Sequence, residues 1–306
     1  MGKRFFFGFS MFFGLVGVLA LDHLLGVTWG FYALAMVMTL GGIHELARMF
    51  RFRALPLDAP LLAFTAVLLL SYVQLIADPP RLGVLSELWH GDFQHLFAVP
   101  DSWRSFMLLI PLLVAVLYPL IGLGNKDVSN ISARITNNLG VFLYLIFPIA
   151  IILWLRRVPG TGEWLVYFLL AASRLGDVGA YLMGSAIGRH KLIPYLSAGK
   201  SVEGAVFGLI FSAAGGVGIT LWGNWATGGA LQPLVVHWWY GAVIGLFVGV
   251  AAQAGDLVES GFKRAAGIKD SGHLVPSFGG VMDIIDNFML TGPLLLVLLA
   301  MWPARV

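Results

Sequence analysis

An all-α polytopic membrane protein of about nine spanning helices, N-terminus in the cytoplasm, is the fold class this sequence predicts. Three observations predict it. First, 58% of the 306 residues are hydrophobic and only 11% are charged, with a mean hydropathy of +0.86. A soluble domain carries about 25% charged residues, so a chain this poor in charge cannot cover its own exterior with polar groups and must face lipid. Second, apolar runs near the ~20 residues that a spanning helix needs recur along the whole length. Third, lysine and arginine fall unevenly between the connections, as the positive-inside rule requires of a spanning chain.

The spans are expected at 5–21, 24–43, 59–76, 106–122, 138–155, 164–185, 203–222, 237–255 and 287–303. In the first, Lys3 and Arg4 precede an apolar run of about 17 residues, longer than the ~7–15 of a signal-peptide core, so it reads as a retained helix. The second is followed by Arg48, Arg51 and Arg53. The connection from Asp78 to Arg104 carries Trp89, Phe93, Phe97 and Trp103 and is expected at the membrane interface, where aromatics concentrate. With the N-terminus inside, inner segments hold Lys3, Arg4, Arg48, Arg51, Arg53, Lys126, Arg134, Arg189, Lys191, Lys200, Lys263, Arg264 and Lys269. Outer segments hold Arg81, Arg104, Arg156, Arg157 and Arg305, a bias of thirteen to five. The organisation expected is N-terminal transmembrane helices over 1–160 and a C-terminal transmembrane catalytic region over 161–306, in a bacterial-type inner membrane with the active side cytoplasmic. The chain has no cysteine, which excludes disulfides, thiolate metal sites and cysteine nucleophiles. No two of its seven histidines form H-E-x-x-H, which argues against a zinc protease.

Polar residues inside the C-terminal spans carry the functional signal. Arg174 and Asp177 lie three apart on one face of an apolar helix. Each alone in hydrocarbon costs at least ~2.5–3.5 kcal/mol, so both face protein or a water-filled cavity, as an ion pair or as part of a polar site. Ser197, Gly199, Lys200 and Ser201, with Glu203 and Gly204 behind them, offer close backbone approach, an ammonium and hydroxyls. A helix starting near Ser201 adds a favourable dipole for an anion, although the segment is no Walker A loop.

The segment from Asp256 to Asp286 is the most informative. Asp256, Ser260 and Lys263 are spaced i, i+4 and i+7 on one helix face, and Gly267 is placed to end that helix. Lys269 and Asp270 follow on a loop; Pro276, Gly279 and Gly280 form a turn; a new helix then opens with Asp283 and Asp286 in its first turn. Carboxylates from two helices suit a hard cation with oxygen ligands, and neighbouring lysine and arginine suit phosphate oxygens. Residue chemistry alone puts metal-assisted phosphoryl or nucleotidyl transfer first, with an ion-coupled transporter and structural charge pairing equally behind it.

The run Ser260, Phe262, Lys263, Arg264, Lys269, Asp270, Gly272, Pro276, Gly279, Gly280, Asp283 and Asp286 resembles, without a gap, the signature of phosphatidate cytidylyltransferases (CDP-diacylglycerol synthases). Asp177, Gly179, Ala180 and Tyr181 resemble that family's D-x-G-A-Y stretch. Ser197, Gly199, Lys200, Glu203 and Gly204 resemble its S-P-G-K-T-x-E-G stretch. The likeness covers roughly 170–293. Phe278 stands where the family has histidine and Ile284 where it has arginine, while Ala198 and Ser201 are milder departures. The two apolar replacements imply a rebuilt pocket, a different lipid phosphate or a weakened enzyme.

The resemblance implies transfer of CMP from CTP to a lipid phosphate, phosphatidate or an analogue, with release of pyrophosphate. Asp256 and Asp283 are implied to hold Mg²⁺, admitting a second cation, with Asp286 a further ligand. Lys263 and Lys269 join Asp256 and Asp283 as catalytic residues. Asp177, Ser197, Lys200, Ser201, Ser260, Arg264, Asp270, Gly279 and Gly280 are implied to bind substrate. The expected partners are CTP, the lipid phosphate and the bilayer, with no nucleic acid and with a homodimer as an admissible assembly. A CTP-dependent polyisoprenol kinase is the alternative within phosphate chemistry, and an ion-coupled transporter the alternative outside it.

Overall fold

The computed structural model describes residues 2–75, 131–158, 160–228, 238–268, 271–272 and 279–301. Within them the chain is helical: α1 (Gly2–Leu25), α2 (Trp29–Phe52), α3 (Ala59–Leu75), α4 (Ile131–Arg156), α5 (Gly162–Ile187), α6 (Val202–Thr227), α7 (Trp238–Ala266) and α8 (Met282–Met301). Six of these are long and apolar enough to cross a membrane, namely α2, α4, α5, α6, α7 and α8 over Met282–Leu299; Gly14–Leu25 and Ala59–Leu75 are shorter apolar stretches. The all-α polytopic class is therefore observed. The span expected at 106–122 and the interfacial connection at 78–104 lie outside the described residues.

Helices run past their apolar windows. The second window ends at residue 43, but α2 continues through Glu45, Arg48 and Arg51 to Phe52. Hydropathy measures the part of a helix that faces hydrocarbon, and backbone hydrogen bonding carries the helix on into the interface. Local chemistry sets the ends. The carboxylate of Asp22, 3% exposed, accepts from Gly30 N at 2.9 Å and Phe31 N at 2.8 Å, satisfying two first-turn amides of α2. The end expected for α7 at Gly267 is observed: the helix stops at Ala266, and Gly267 takes φ +74°.

The described residues form two compact units. The first holds α1 to α3, α4 through Trp154, the end of α7 from Phe262, and the start of α8 through Ile285. There Asp58, just before α3, accepts from Arg134 Nη1 at 2.8 Å and Asn138 Nδ2 at 2.7 Å, which ties the start of α3 to the N-terminal turns of α4. One π turn, Phe142–Ile146, interrupts α4 and sets Tyr144 with its ring 5.2 Å from that of Phe262.

The second unit holds 155–261 and α8 from Asp286. Here α5 packs along α6, and α6 meets α7 through residues four apart. A Cβ on Gly245 would lie 2.6 Å from the Ser212 carbonyl oxygen, and one on Gly216 would overlap the Gly241 carbonyl. Small residues at one-turn spacing (Gly208, Ser212 and Gly216 against Gly241, Gly245 and Gly249) are how helices approach closely where lipid removes the hydrophobic drive between them. Between α5 and α6 the expected loop forms a short antiparallel hairpin, β1 (Lys191–Ile193) and β2 (Ser197–Ser201). Its register shifts between the pairs Lys191–Ser201 and Ile193–Ser197.

Candidate active site

In the second unit, Asp256 and Glu259 sit one turn apart on α7, and Asp286 comes from α8. Each offers a carboxylate oxygen, and these oxygens lie within 4.8 Å of one another. Glu259 is 1% exposed and Asp286 6%. Lys200, delivered by the irregular strand β2, places Nζ 2.7 Å from Asp256 Oδ2. From α5, Asp177 accepts from Asn287 Nδ2 at 2.6 Å and stands 3.3 Å from Arg174 Nη1. The Arg174 guanidinium also lies over the Phe288 ring, 5.5 Å from its centroid. Lys200 thus contacts the carboxylate cluster, while Arg174 and Asp177 pair with each other and with Asn287 and Phe288, the two residues that follow Asp286.

The donor set decides what such a cluster can hold. Three carboxylates offer only hard oxygen ligands, with no imidazole or thiolate among them, and that suits magnesium or calcium better than zinc or copper. Like charges this close repel strongly in a poorly solvated setting, and a divalent cation offsets them where one ammonium offsets only one. The residues therefore fit the expected cation.

In the first unit, Asp283 lies in the first turn of α8. Its Oδ1 accepts from Lys263 Nζ at 2.7 Å, and its Oδ2 from Ser271 Oγ at 2.6 Å and Gly280 N at 2.7 Å. Gly279, at φ +103°, turns the chain into this arrangement through a conformation that glycine adopts without strain. Asp283 thus orients a lysine, a hydroxyl and a turn within its own unit. The carboxylate found beside Asp256 and Asp286 is Glu259.

The other expected residues take varied places. Ser201 Oγ accepts from Gly204 N at 3.1 Å and so acts as the N-cap of α6, with the helix starting where expected. Ser197 and Ser260 are half-buried on β2 and α7. Arg264 is exposed and donates to the Ile268 carbonyl at 3.3 Å, beyond the end of α7. Glu203 accepts from the Arg189 and His190 amides at 3.1 and 3.2 Å and from His190 Nδ1 at 2.6 Å, which pins the hairpin to α6. Lys269, Asp270 and Phe278 lie outside the described residues, and Ile284 is 8% exposed.

Three residues escaped the sequence reading. Glu259 is one turn from Asp256, so its spacing was a usable signal. Asn287 is neutral and gave none. Glu45 sits in the N-terminal half, and only its place near the end of an apolar helix marked it.

Comparison with known proteins gives the family. A family model described as the cytidylyltransferase family matches residues 2–302. An uncharacterized protein of Escherichia coli (strain K12), YnbB, is 32% identical over 213 residues, 67% of this chain and 67% of that protein. The phosphatidate cytidylyltransferase of Staphylococcus saprophyticus is 37% identical over 155 residues, covering 48% of this chain and 53% of that enzyme. That of Staphylococcus aureus (strain COL) is 39% identical over 133 residues, 41% and 45% respectively. The matches span about half the length of the staphylococcal enzymes. Matched across nearly its whole length, and carrying the carboxylates and lysines that the resemblance rested on, the chain belongs to the cytidylyltransferase family.

Proposed function

We propose that this chain transfers the cytidylyl group of CTP to a lipid phosphate, phosphatidate in the first instance, giving CDP-diacylglycerol and pyrophosphate. The observation that carries the reading is the Asp256, Glu259 and Asp286 cluster with Lys200 against it, in a chain of this family. When bound there, Mg²⁺ supplies positive charge against the triphosphate and the pyrophosphate leaving group. An oxygen of the lipid phosphate forms the new bond to the α-phosphorus. The bridging α–β bond breaks and its electron pair leaves on pyrophosphate. A phosphate monoester, with a second pKa of about 6, is largely dianionic at neutral pH, so no side chain need remove a proton.

The lysines hold phosphate oxygens. Asp256 orients Lys200, and Asp283 orients Lys263, each by a 2.7 Å contact that fixes a flexible four-carbon side chain. Nine spans, an N-terminus inside and a cytoplasmic active side of the inner membrane complete the proposal. Asp58 supports that topology by placing the starts of α3 and α4 on one side, as the nine-span parity requires. Glu45, close to the arginines that end α2, supports the same topology by holding the start of α8 next to that end of α2.

The test uses purified protein with phosphatidate and CTP labelled at either the α- or the γ-phosphate. Cytidylyl transfer puts the α-label in the lipid and releases the γ-label in pyrophosphate. A γ-labelled lipid would instead identify a CTP-dependent lipid kinase.

A further inference from the structure

Glu45 is 2% exposed on α2, and its carboxylate meets backbone more than two hundred residues away. Oε1 accepts from Val281 N at 2.8 Å and Oε2 from Met282 N at 2.9 Å. Because α8 begins at Met282, these amides belong to the helix end that has no partners within the helix, and a carboxylate there also meets the positive end of the dipole. The preceding amide, Gly280 N, goes to Asp283. Three consecutive amides are therefore held by two carboxylates, and one of those two also holds Lys263 and Ser271.

The surrounding glycines show how closely Glu45 is seated. A Cβ on Gly272 would lie 2.5 Å from Glu45 Oε1, and one on Gly280 would overlap both Glu45 Oε2 and Ser271 Oγ. On α2 itself, a Cβ on Gly41 would lie 2.9 Å from Val281 Cγ2, so glycine lets the start of α8 rest on this helix. A charged group buried this far would be costly without its two donors. With them, it fixes the height and direction of the turn from which Asp283 reaches Lys263.

We infer that Glu45 is a positioning residue for the Lys263–Asp283–Ser271 group, acting through the Gly280–Met282 backbone. What that group does for phosphate rests on the proposed function; the mechanical link does not. A positioning role differs from simple tethering of α2 to α8 in two readouts: the Gly280 amide, which Glu45 does not touch, and turnover per folded molecule.

The experiment compares wild type with Glu45→Gln, full length in lipid nanodiscs. The amide keeps the size but offers one acceptor oxygen where two were used. Hydrogen exchange is followed at Gly280, Val281 and Met282, and turnover is measured with CTP and phosphatidate. The expected result is faster exchange at all three amides with α5 and α6 unchanged. The kcat per folded protein should fall about 10- to 100-fold, the scale of a small misplacement of reacting groups, with the KM for phosphatidate within about twofold. Faster exchange at Val281 and Met282 alone, with kcat retained, would overturn the inference and leave Glu45 a tether. If wild type transfers no α-label, the proposed function fails, and exchange at Gly280 still decides the mechanical link. Should Glu45→Gln not insert, Glu45→Asp, which keeps the charge on a shorter reach, is read by the same outcomes.

Discussion

Asp286 and Asp256 differ from ordinary membrane carboxylates in having a third acid, Glu259, within ligand distance and a lysine beside them. Either Asp→Asn change removes charge from the cluster at almost constant volume. Each should reduce cytidylyl transfer by at least about 100-fold, the scale seen when one transition-state electrostatic contact is lost. Binding of Mn²⁺, followed by its electron paramagnetic resonance spectrum in the absence of substrate, should weaken in the same variants. Unchanged Mn²⁺ affinity would remove the cluster from the metal role.

At Ile284 the prediction concerns stability. The residue is 8% exposed, so Ile284→Val should cost about 0.5–1.5 kcal/mol, whereas Ile284→Arg buries a charge and should visibly lower the thermal midpoint. Equal midpoints for the two variants would contradict that burial.

Much of this site was legible because charge in an apolar helix is expensive and so announces itself: Asp177, Asp256, Asp283 and Asp286 stood out that way, and Lys200 and Lys263 as phosphate-binding residue types near them. Their partners were less legible. Spacing along one helix says which residues share a face but not which face meets which. Asp283, for example, takes donors from a serine twelve residues upstream and from its own turn, which spacing along α8 does not foretell.

At the scale of elements, the glycines of α6 and α7 act as packing surface. Gly245→Leu should lower folded yield and cost at least about 1–3 kcal/mol, because the new side chain meets the Ser212 carbonyl and the backbone of α6. Gly218, whose Cβ would meet nothing within 4 Å, is the control, and Gly218→Ala should leave stability within about 0.5 kcal/mol. Thermal melts of both in detergent check the pair. Helix existence was readable from apolar windows, and the α7 end from Gly267. The β1–β2 hairpin was not, because β1 is only three residues long and β2, SAGKS, is small and polar, so neither carries an alternation strong enough to rise above a loop.

For the whole molecule, side of the membrane is the claim that joins topology to substrate access. Ser271 is 2% exposed and bonded to Asp283, so a cysteine there would resist reagents from either side and report nothing about orientation. Lys191, exposed on the hairpin, and Trp225, 81% exposed near the far end of α6, are informative positions in a chain without cysteine. In intact cells a membrane-impermeant maleimide should label Trp225→Cys and spare Lys191→Cys until the membrane is opened. The reverse pattern would place the hairpin and Lys200 outside, away from cytoplasmic CTP.

The measurement that tests the central claim most directly is the fate of the α-phosphate. Purified protein incubated with Mg²⁺, phosphatidate and α-labelled CTP should yield a labelled liponucleotide and one pyrophosphate per lipid converted, and the Asp286→Asn variant should yield neither. Phosphatidate left unlabelled by α-labelled CTP, under conditions where γ-labelled CTP marks a lipid, would contradict the assignment.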